Sequence, residues 1–283
     1  MTQELSIDNV PDLWRDKLPV PQPEGHKYDR GHLLVYGGPV MTGASRLAAR
    51  AAQRMGAGLV TLGVPDKALA IYAAALESVI VQPMHDLESW QKLVKNDRIN
   101  GYLLGPGMGV DPHADERVWL ALETGRPTVL DADALNAFIP MLDVLLEHTH
   151  EQTVLTPHEG EFNRLFGQVA GEQPDRMDKV RRAAEIAGCT IVLKGHETII
   201  VAPDGHAVVN RNAPPWLATA GAGDVLAGMI AGLLVQKMPV FAAAEAAVWL
   251  HGAIATQFGL GLIAEDLVVG IPAALQQLIS GKI

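Results

Sequence analysis

Leu33-Leu34-Val35-Tyr36-Gly37-Gly38, followed by Ala44 to Met55 with Leu47, Ala51 and Met55 on one helical face, is the stretch that decides the fold. An apolar run that stops at two glycines and resumes with a helical period reads as strand, turn and helix. Leu59-Val60-Thr61-Leu62 reads as the next strand, and the alternation returns at Gly101 to Gly105, Thr128 to Asp131, Thr153 to Thr156 and Thr190 to Lys194. Strands that are apolar throughout and separated by helix-length segments predict an α/β fold, a mostly parallel central sheet with helices on both faces. Thr198 to Ala202 and Ala207 to Asn210 read instead as a hairpin around Asp204-Gly205.

The chain of 283 residues is 48% apolar and 19% charged, which excludes an intrinsically disordered protein. A net charge of −10 offers no general attraction to nucleic acid or anionic membrane, and no basic stripe compensates. Cys189 has no second cysteine to pair with, and the start lacks the order of a secretory signal, so the expected location is the cytoplasm. Leu217 to Val235 approaches the roughly 20 residues of a membrane span, but Asp224 and four glycines inside it favour a buried helix behind a glycine loop. Residues 1–25, with Pro11, Pro19, Pro21 and Pro23, read as an extended lead-in, and residues 26–283 as one domain.

Ligands of open α/β sheets sit at the carboxyl ends of strands. Those positions read Gly37-Gly38, Gly105-Pro106-Gly107-Met108-Gly109, Asp131-Ala132-Asp133, Pro157-His158-Glu159 and Lys194-Gly195. Gly221-Ala222-Gly223-Asp224 leads into an apolar helix, and glycines at a helix start leave N–H groups open to an anion. Asp224 then either caps the helix or serves as the base for a hydroxyl attacking phosphorus. Neither a Walker loop nor a dinucleotide fingerprint is present.

Taken in order, Gly37 to Ala44, LGPGMG (104–109), DADALN (131–136), TPHEGEF (156–162), VLKGHET (192–198) and GAGDVLAG (221–228) resemble the ADP/ATP-dependent NAD(P)H-hydrate dehydratases of the ribokinase-like superfamily. The resemblance runs from about Lys27 to the C-terminus. It implies dehydration of the S form of hydrated NADH or NADPH (NADHX, NADPHX), with ADP or ATP as co-substrate and Mg²⁺ as cofactor. It implies that Lys194, Gly195, His196, Glu197, Thr198 and Gly223 contact the nucleotide, and that Ala44, Gly109, His158 and Asp224 contact the hydrated dinucleotide. Gly221, Ala222 and Gly223 would form the anion hole and Asp224 the catalytic base. Asp131, Glu159 and Glu161, with Asp133 beside them, are the candidates to order Mg²⁺ through water.

The family often carries a fused N-terminal epimerase domain, for which 25 residues leave no room, so a separate epimerase is the expected partner. A homotetramer is expected on the same resemblance. Ala222 departs from the Thr or Ser that many of these dehydratases place between the two glycines and matches the superfamily's sugar and vitamin kinases. A small-molecule kinase is therefore the alternative activity, recognised by a stable phosphorylated product. A non-catalytic nucleotide sensor is the third reading, and the intact Asp224 argues against it.

Overall fold

The computed structural model describes residues 7–171 and 175–281, so the first six residues of the predicted lead-in lie outside the described residues. In chain order the strands are β1 Ile7–Asp8, β2 His32–Tyr36, β3 Leu59–Pro65, β4 Ile80–Met84, β5 Gly101–Leu104, β6 Thr128–Leu130, β7 Thr153–Leu155, β8 Thr190–Leu193, β9 Thr198–Val201 and β10 Ala207–Asn210. The helices are α1 Thr42–Arg54, α2 Asp66–Ala75, α3 Leu87–Val94, α4 Ala114–Leu122, α5 Asp133–Asn136, α6 Leu142–His148, α7 Glu159–Phe166, α8 Arg176–Ala187, α9 Ala222–Leu234, α10 Val240–Phe258 and α11 Ala264–Ile279. The ten strands form one sheet in the order β1-β10-β9-β8-β7-β6-β5-β2-β3-β4. All pairings are parallel except those of β9, which runs antiparallel to β8 and β10 as the hairpin requires.

Side chains alternate across the sheet with the period of two that a strand imposes. Leu33, Val35, Leu103, Val129, Val154 and Val192 face a layer formed by α1, α2, α9, α10 and α11. Leu34, Tyr36, Leu104, Leu130, Leu155 and Leu193 face the layer of α3 to α8. The predicted three-layer architecture is therefore present, and the apolar segment ahead of Val235 is a buried helix of that first layer. Among the described residues no helix is long and apolar enough to cross a membrane.

Two strands were not foreseen. Ile80–Met84 is interrupted by Gln82 and Pro83, and proline is tolerated because β4 lies on the sheet edge. Ile7–Asp8 is only two residues long and takes its partner, β10, from the far end of the chain. This corrects the reading of residues 1–25 as a mere lead-in. Residues 7–17 belong to the sheet and its helical layer, because Trp14 is fully buried with its ring against Trp249 of α10.

The chain runs outward through β2, β3 and β4 and then returns to the other side of β2 with β5, β6, β7 and β8. The order thus reverses between β2 and β5, which opens a crevice at their carboxyl ends. Helix α9 is brought to this crevice by direct backbone contact with α1. A Cβ on Gly228 would stand 2.2 Å from the Ala48 carbonyl oxygen, and one on Gly232 would stand 2.7 Å from that of Ala52. Gly228→Ala should therefore lower stability by about 1–3 kcal/mol or more through overpacking. Gly43→Ala, whose Cβ would meet only Arg46 Nη2 at 4.0 Å, should raise it by up to about 1 kcal/mol; paired urea midpoints of the two variants check both signs.

Candidate active site

The ends of β6, β7 and β8 are joined beyond the regular ladder. The Lys194 N–H donates to the Pro157 carbonyl at 2.9 Å, and His158 and Lys194 form a parallel bridge. Lys194 thus projects from the sheet end and donates from Nζ to Asp131 Oδ1 at 2.6 Å. The same oxygen accepts the Thr156 hydroxyl at 2.9 Å, and Asp131 is only 2% exposed. Ala132 follows with φ +46°, a strained conformation for a residue with a Cβ. Beyond this bend Asp133 Oδ2 accepts the Gly109 N–H at 2.8 Å, which ties the DADALN segment to the LGPGMG loop.

That loop makes close backbone approaches of its own. A Cβ on Gly105 would overlap the Asp131 carbonyl oxygen at 1.7 Å, and one on Gly38 would overlap that of Gly107 at 1.5 Å. The loops after β2, β5 and β6 therefore stack backbone on backbone, which only glycine permits. Ala44 lies in the first turn of α1 beside this stack and is buried.

Helix α9 points its N-terminus at the same place. Gly221 is its N-cap with φ +88°, no side chain caps the helix, and Asp224 sits in the first turn. The capping reading of Asp224 is thereby excluded. A Cβ on Gly223 would lie 3.4 Å from Lys194 Nζ, so the ammonium and the free helix N–H groups converge. Burial pushes the Asp224 carboxyl up to about 6; the Asp131 charge adds to the rise, Lys194 opposes it and Asp133 contributes further.

A cavity of about 640 Å³ opens at this point, lined by His158, Lys194, Gly195, His196, Thr198, Ala222 and Gly223. Seven residues predicted from sequence thus share one wall system. Glu197 does not. Its carboxylate accepts Arg211 Nε at 2.9 Å and its carbonyl accepts Arg176 Nη1 at 2.7 Å, so it braces the loop from outside. Ala44, Gly109 and Asp224 lie outside this lining; Asp224 adjoins it through Gly223, and Gly109 is hydrogen-bonded to Asp133, whose charge acts on Asp224.

His158 combines the structural and the ligand-facing readings. It is the N-cap of α7, its Nδ1 accepting the N–H groups of Gly160 (2.9 Å) and Glu161 (3.3 Å), while Glu161 Oε2 accepts the His158 N–H at 2.9 Å. Accepting at Nδ1 places the ring proton on Nε2.

The candidate magnesium ligands do not assemble. Asp131 is neutralised by Lys194, Glu159 pairs with Arg176, and Glu161 is held in the capping box. Among the described residues no three His, Cys, Asp or Glu side chains converge on one point, and each of these carboxylates already has a protein partner.

Other lining residues went unforeseen: Asn210, Thr219, Leu226, Val248 and His251. Val248 and His251 stand one helical turn apart on α10, a spacing hidden in a helix rich in alanine. Burial lowers the His251 pKa to about 4, with a small opposing effect from the Ala222 carbonyl, and the ring is neutral at physiological pH. Trp216 donates its Nε1–H to the Ala255 carbonyl and packs against the core.

A sheet crevice, a glycine-started helix N-terminus, a strand-end lysine and a desolvated aspartate define a ribokinase-like α/β protein. A ribokinase-like superfamily protein from Enterococcus faecalis superposes with a TM-score of 0.86 at 26% identity, covering 98% of each chain. The family model described as NAD(P)H-hydrate dehydratase matches residues 32–268, and the chain belongs to that family. It is 41% identical over 237 residues to the ADP-dependent (S)-NAD(P)H-hydrate dehydratase of Neisseria meningitidis, which covers 82% of this chain and 78% of that one. The ADP/ATP-dependent NAD(P)H-hydrate dehydratase of Bacillus subtilis, co-crystallized with ATP/Mg²⁺, superposes with a TM-score of 0.83 at 28% identity, covering 97% and 99%. The bifunctional NAD(P)H-hydrate repair enzyme of Moorella thermoacetica is 38% identical, and the match spans 98% of this chain but 55% of that protein.

Removing the ammonium would strand a buried carboxylate. Lys194→Met should cost about 3–5 kcal/mol of stability and abolish nucleotide binding. Adding Asp131→Asn should restore most of the stability without restoring binding, which thermal melts and ADP calorimetry on the single and double variants would distinguish.

Proposed function

We propose that this chain repairs hydrated NADH and NADPH by ADP-dependent dehydration, with Asp224 as the base that starts the reaction. The observation that carries the assignment is a carboxylate in the first turn of α9 that caps nothing, has a pKa raised to about 6, and adjoins Lys194 and Gly223. Such a group is ionised at neutral pH yet basic enough to accept a hydroxyl proton.

The nucleotide is assigned to the 640 Å³ cavity, its terminal phosphate toward Lys194 and the N–H groups of Ala222 and Gly223. The hydrated nicotinamide is assigned to the crevice between Ala44 and Gly109. Asp224 takes the proton of the ring hydroxyl, whose oxygen attacks the terminal phosphorus of ADP and releases AMP. The ring nitrogen's electron pair then expels phosphate, and loss of a proton from the neighbouring carbon restores the dihydronicotinamide. The net products are NADH or NADPH, AMP, phosphate and a proton. Hydroxide, a poor leaving group, has been replaced by phosphate. Donors fixed before the reaction stabilise the charge developing on that phosphate. Mg²⁺ is assigned to the nucleotide's own phosphates, as few-ligand magnesium sites allow, because the protein carboxylates already have partners.

Coupling to an epimerase activity is proposed, supported by bifunctional relatives of which this chain spans about half. The cytoplasm is the proposed location, and the homotetramer is to be checked by light scattering.

The direct test mixes the protein with Mg²⁺ and hydrated NADH, with ADP or ATP in parallel, and follows absorbance at the reduced-nicotinamide band. Recovery that requires nucleotide supports the reading and reveals the donor; a stable phosphorylated product instead would make the chain a metabolite kinase. The acid limb of kcat/KM should titrate at about pH 6, with activity lost below it as Asp224 gains its proton. Asp224→Asn should abolish turnover and leave ADP binding intact. Its stability has a definite sign as well. A folded pKa above the ordinary 3.8 means that ionisation of Asp224 destabilises the fold as pH rises through about 4–6. The variant should therefore melt higher than the wild type at pH 8, by roughly 2–4 °C, and not at pH 3.

A further inference from the structure

A buried hydrogen-bonded chain joins the N-terminal segment to the wall of the nucleotide cavity. Trp14, Asn9 and Asn210 are 0%, 5% and 1% exposed. Trp14 Nε1–H donates to Asn9 Oδ1 at 3.0 Å, and Asn9 Nδ2 donates to Asn210 Oδ1 at 3.1 Å and to the Glu245 carbonyl at 2.8 Å. Asn210 Nδ2 donates to Asn212 Oδ1 at 2.7 Å, and Asn212 Nδ2 ends the chain on the Trp249 carbonyl at 2.8 Å.

The direction of this chain is set at its ends. An indole N–H can only donate and a carbonyl can only accept, whereas each amide between them can be turned either way with nearly the same shape. Trp14 and the Glu245 carbonyl together hold Asn9 with its oxygen on the indole and its nitrogen toward Asn210, and the Trp249 carbonyl holds Asn212 in the same sense. Asn210 lines the cavity, and the backbone that continues from Asn212 supplies Ala213, Pro214, Leu217 and Thr219 to the same cavity. The neighbouring residue of the N-terminal strand makes a second link, since Asp8 pairs with Arg211, which also holds Glu197 of the nucleotide loop.

We propose that Trp14 and Asn9 are positioning residues for the nucleotide. They anchor the Asn210 side chain through the Asn9 donor, itself held by the indole, and with it the position of the cavity wall. Both residues precede the segment matched by the family model, which begins at residue 32. The inference rests on the assignment of ADP to this cavity.

Trp14→Phe keeps an aromatic ring and removes the N–H together with part of the buried ring volume, so a lower melting temperature is expected beside any effect on ADP. Asn9→Asp keeps the size and puts an acceptor where Asn210 needs a donor. Calorimetry with ADP and steady-state kinetics with hydrated NADH should show Kd and KM for ADP raised roughly three- to tenfold in Trp14→Phe and more in Asn9→Asp. The kcat and the KM for hydrated NADH should stay within about twofold. Combining Trp14→Phe with Asn210→Asp should weaken ADP binding by less than the product of the single effects, because the groups act as one chain. A lower melting temperature with Kd and KM for ADP unchanged would overturn the proposal and leave Trp14 a purely structural residue. Equal losses toward both substrates would overturn it too. Should Asn9→Asp not fold, Trp14→Phe decides alone. Wild-type protein that binds neither ADP nor ATP would overturn the functional reading itself, whereas wild-type binding matched by both variants overturns this inference only.

Discussion

The ion pair between Lys194 and Asp131 is the interaction on which the site depends. Two opposite charges taken out of water are tolerated only with good geometry and further hydrogen bonds, and here the 2.6 Å contact is backed by the Thr156 hydroxyl. The pair joins the ends of β6 and β8 and places an ammonium at the N-terminus of α9. It also places a buried negative charge near Asp224, which raises the basicity of that carboxylate. One pair thus bears on both the phosphate attraction and the proton acceptance proposed for the site.

The second constraint is how closely backbones approach. Helix α9 reaches the crevice because Gly228 and Gly232 let it lie directly on α1, and the loops after β2, β5 and β6 stack through Gly38 and Gly105. A Cβ at any of these four positions would separate elements that must meet. The glycines are a packing requirement as much as an anion-binding device.

Much of the site was legible because the residues concerned are local in sequence. Lys194 to Thr198 follow one strand, Gly221 to Asp224 open one helix, and their chemistry reads from residue type and position. Local patterns do not say which way a side chain turns once neighbours compete for it. Glu197 points away because Arg211 and Arg176 hold it, Glu161 is taken by the His158 backbone, and Glu159 is taken by Arg176. His251 and Asn210 were missed for the converse reason: each reaches the cavity from an element whose own pattern announces only a core helix or a hairpin.

By itself the sequence determined the layered α/β fold and pointed to the strand ends and to Asp224 as the place to look for chemistry. Apolar runs, helical periods and glycine breaks report local conformation, and a carboxylate behind a helix-start glycine pair reports its chemistry. Only the tertiary structure decided that Ile7 and Asp8 join the sheet and Trp14 packs behind it, that Asp224 is desolvated, and that Asp131 pairs with Lys194. Those outcomes depend on contacts between residues far apart in the chain, such as Ile7 with Val208 and Lys194 with Asp131. Burial and pairing set the energy of a charge or an amide, and both arise only when the whole chain has packed.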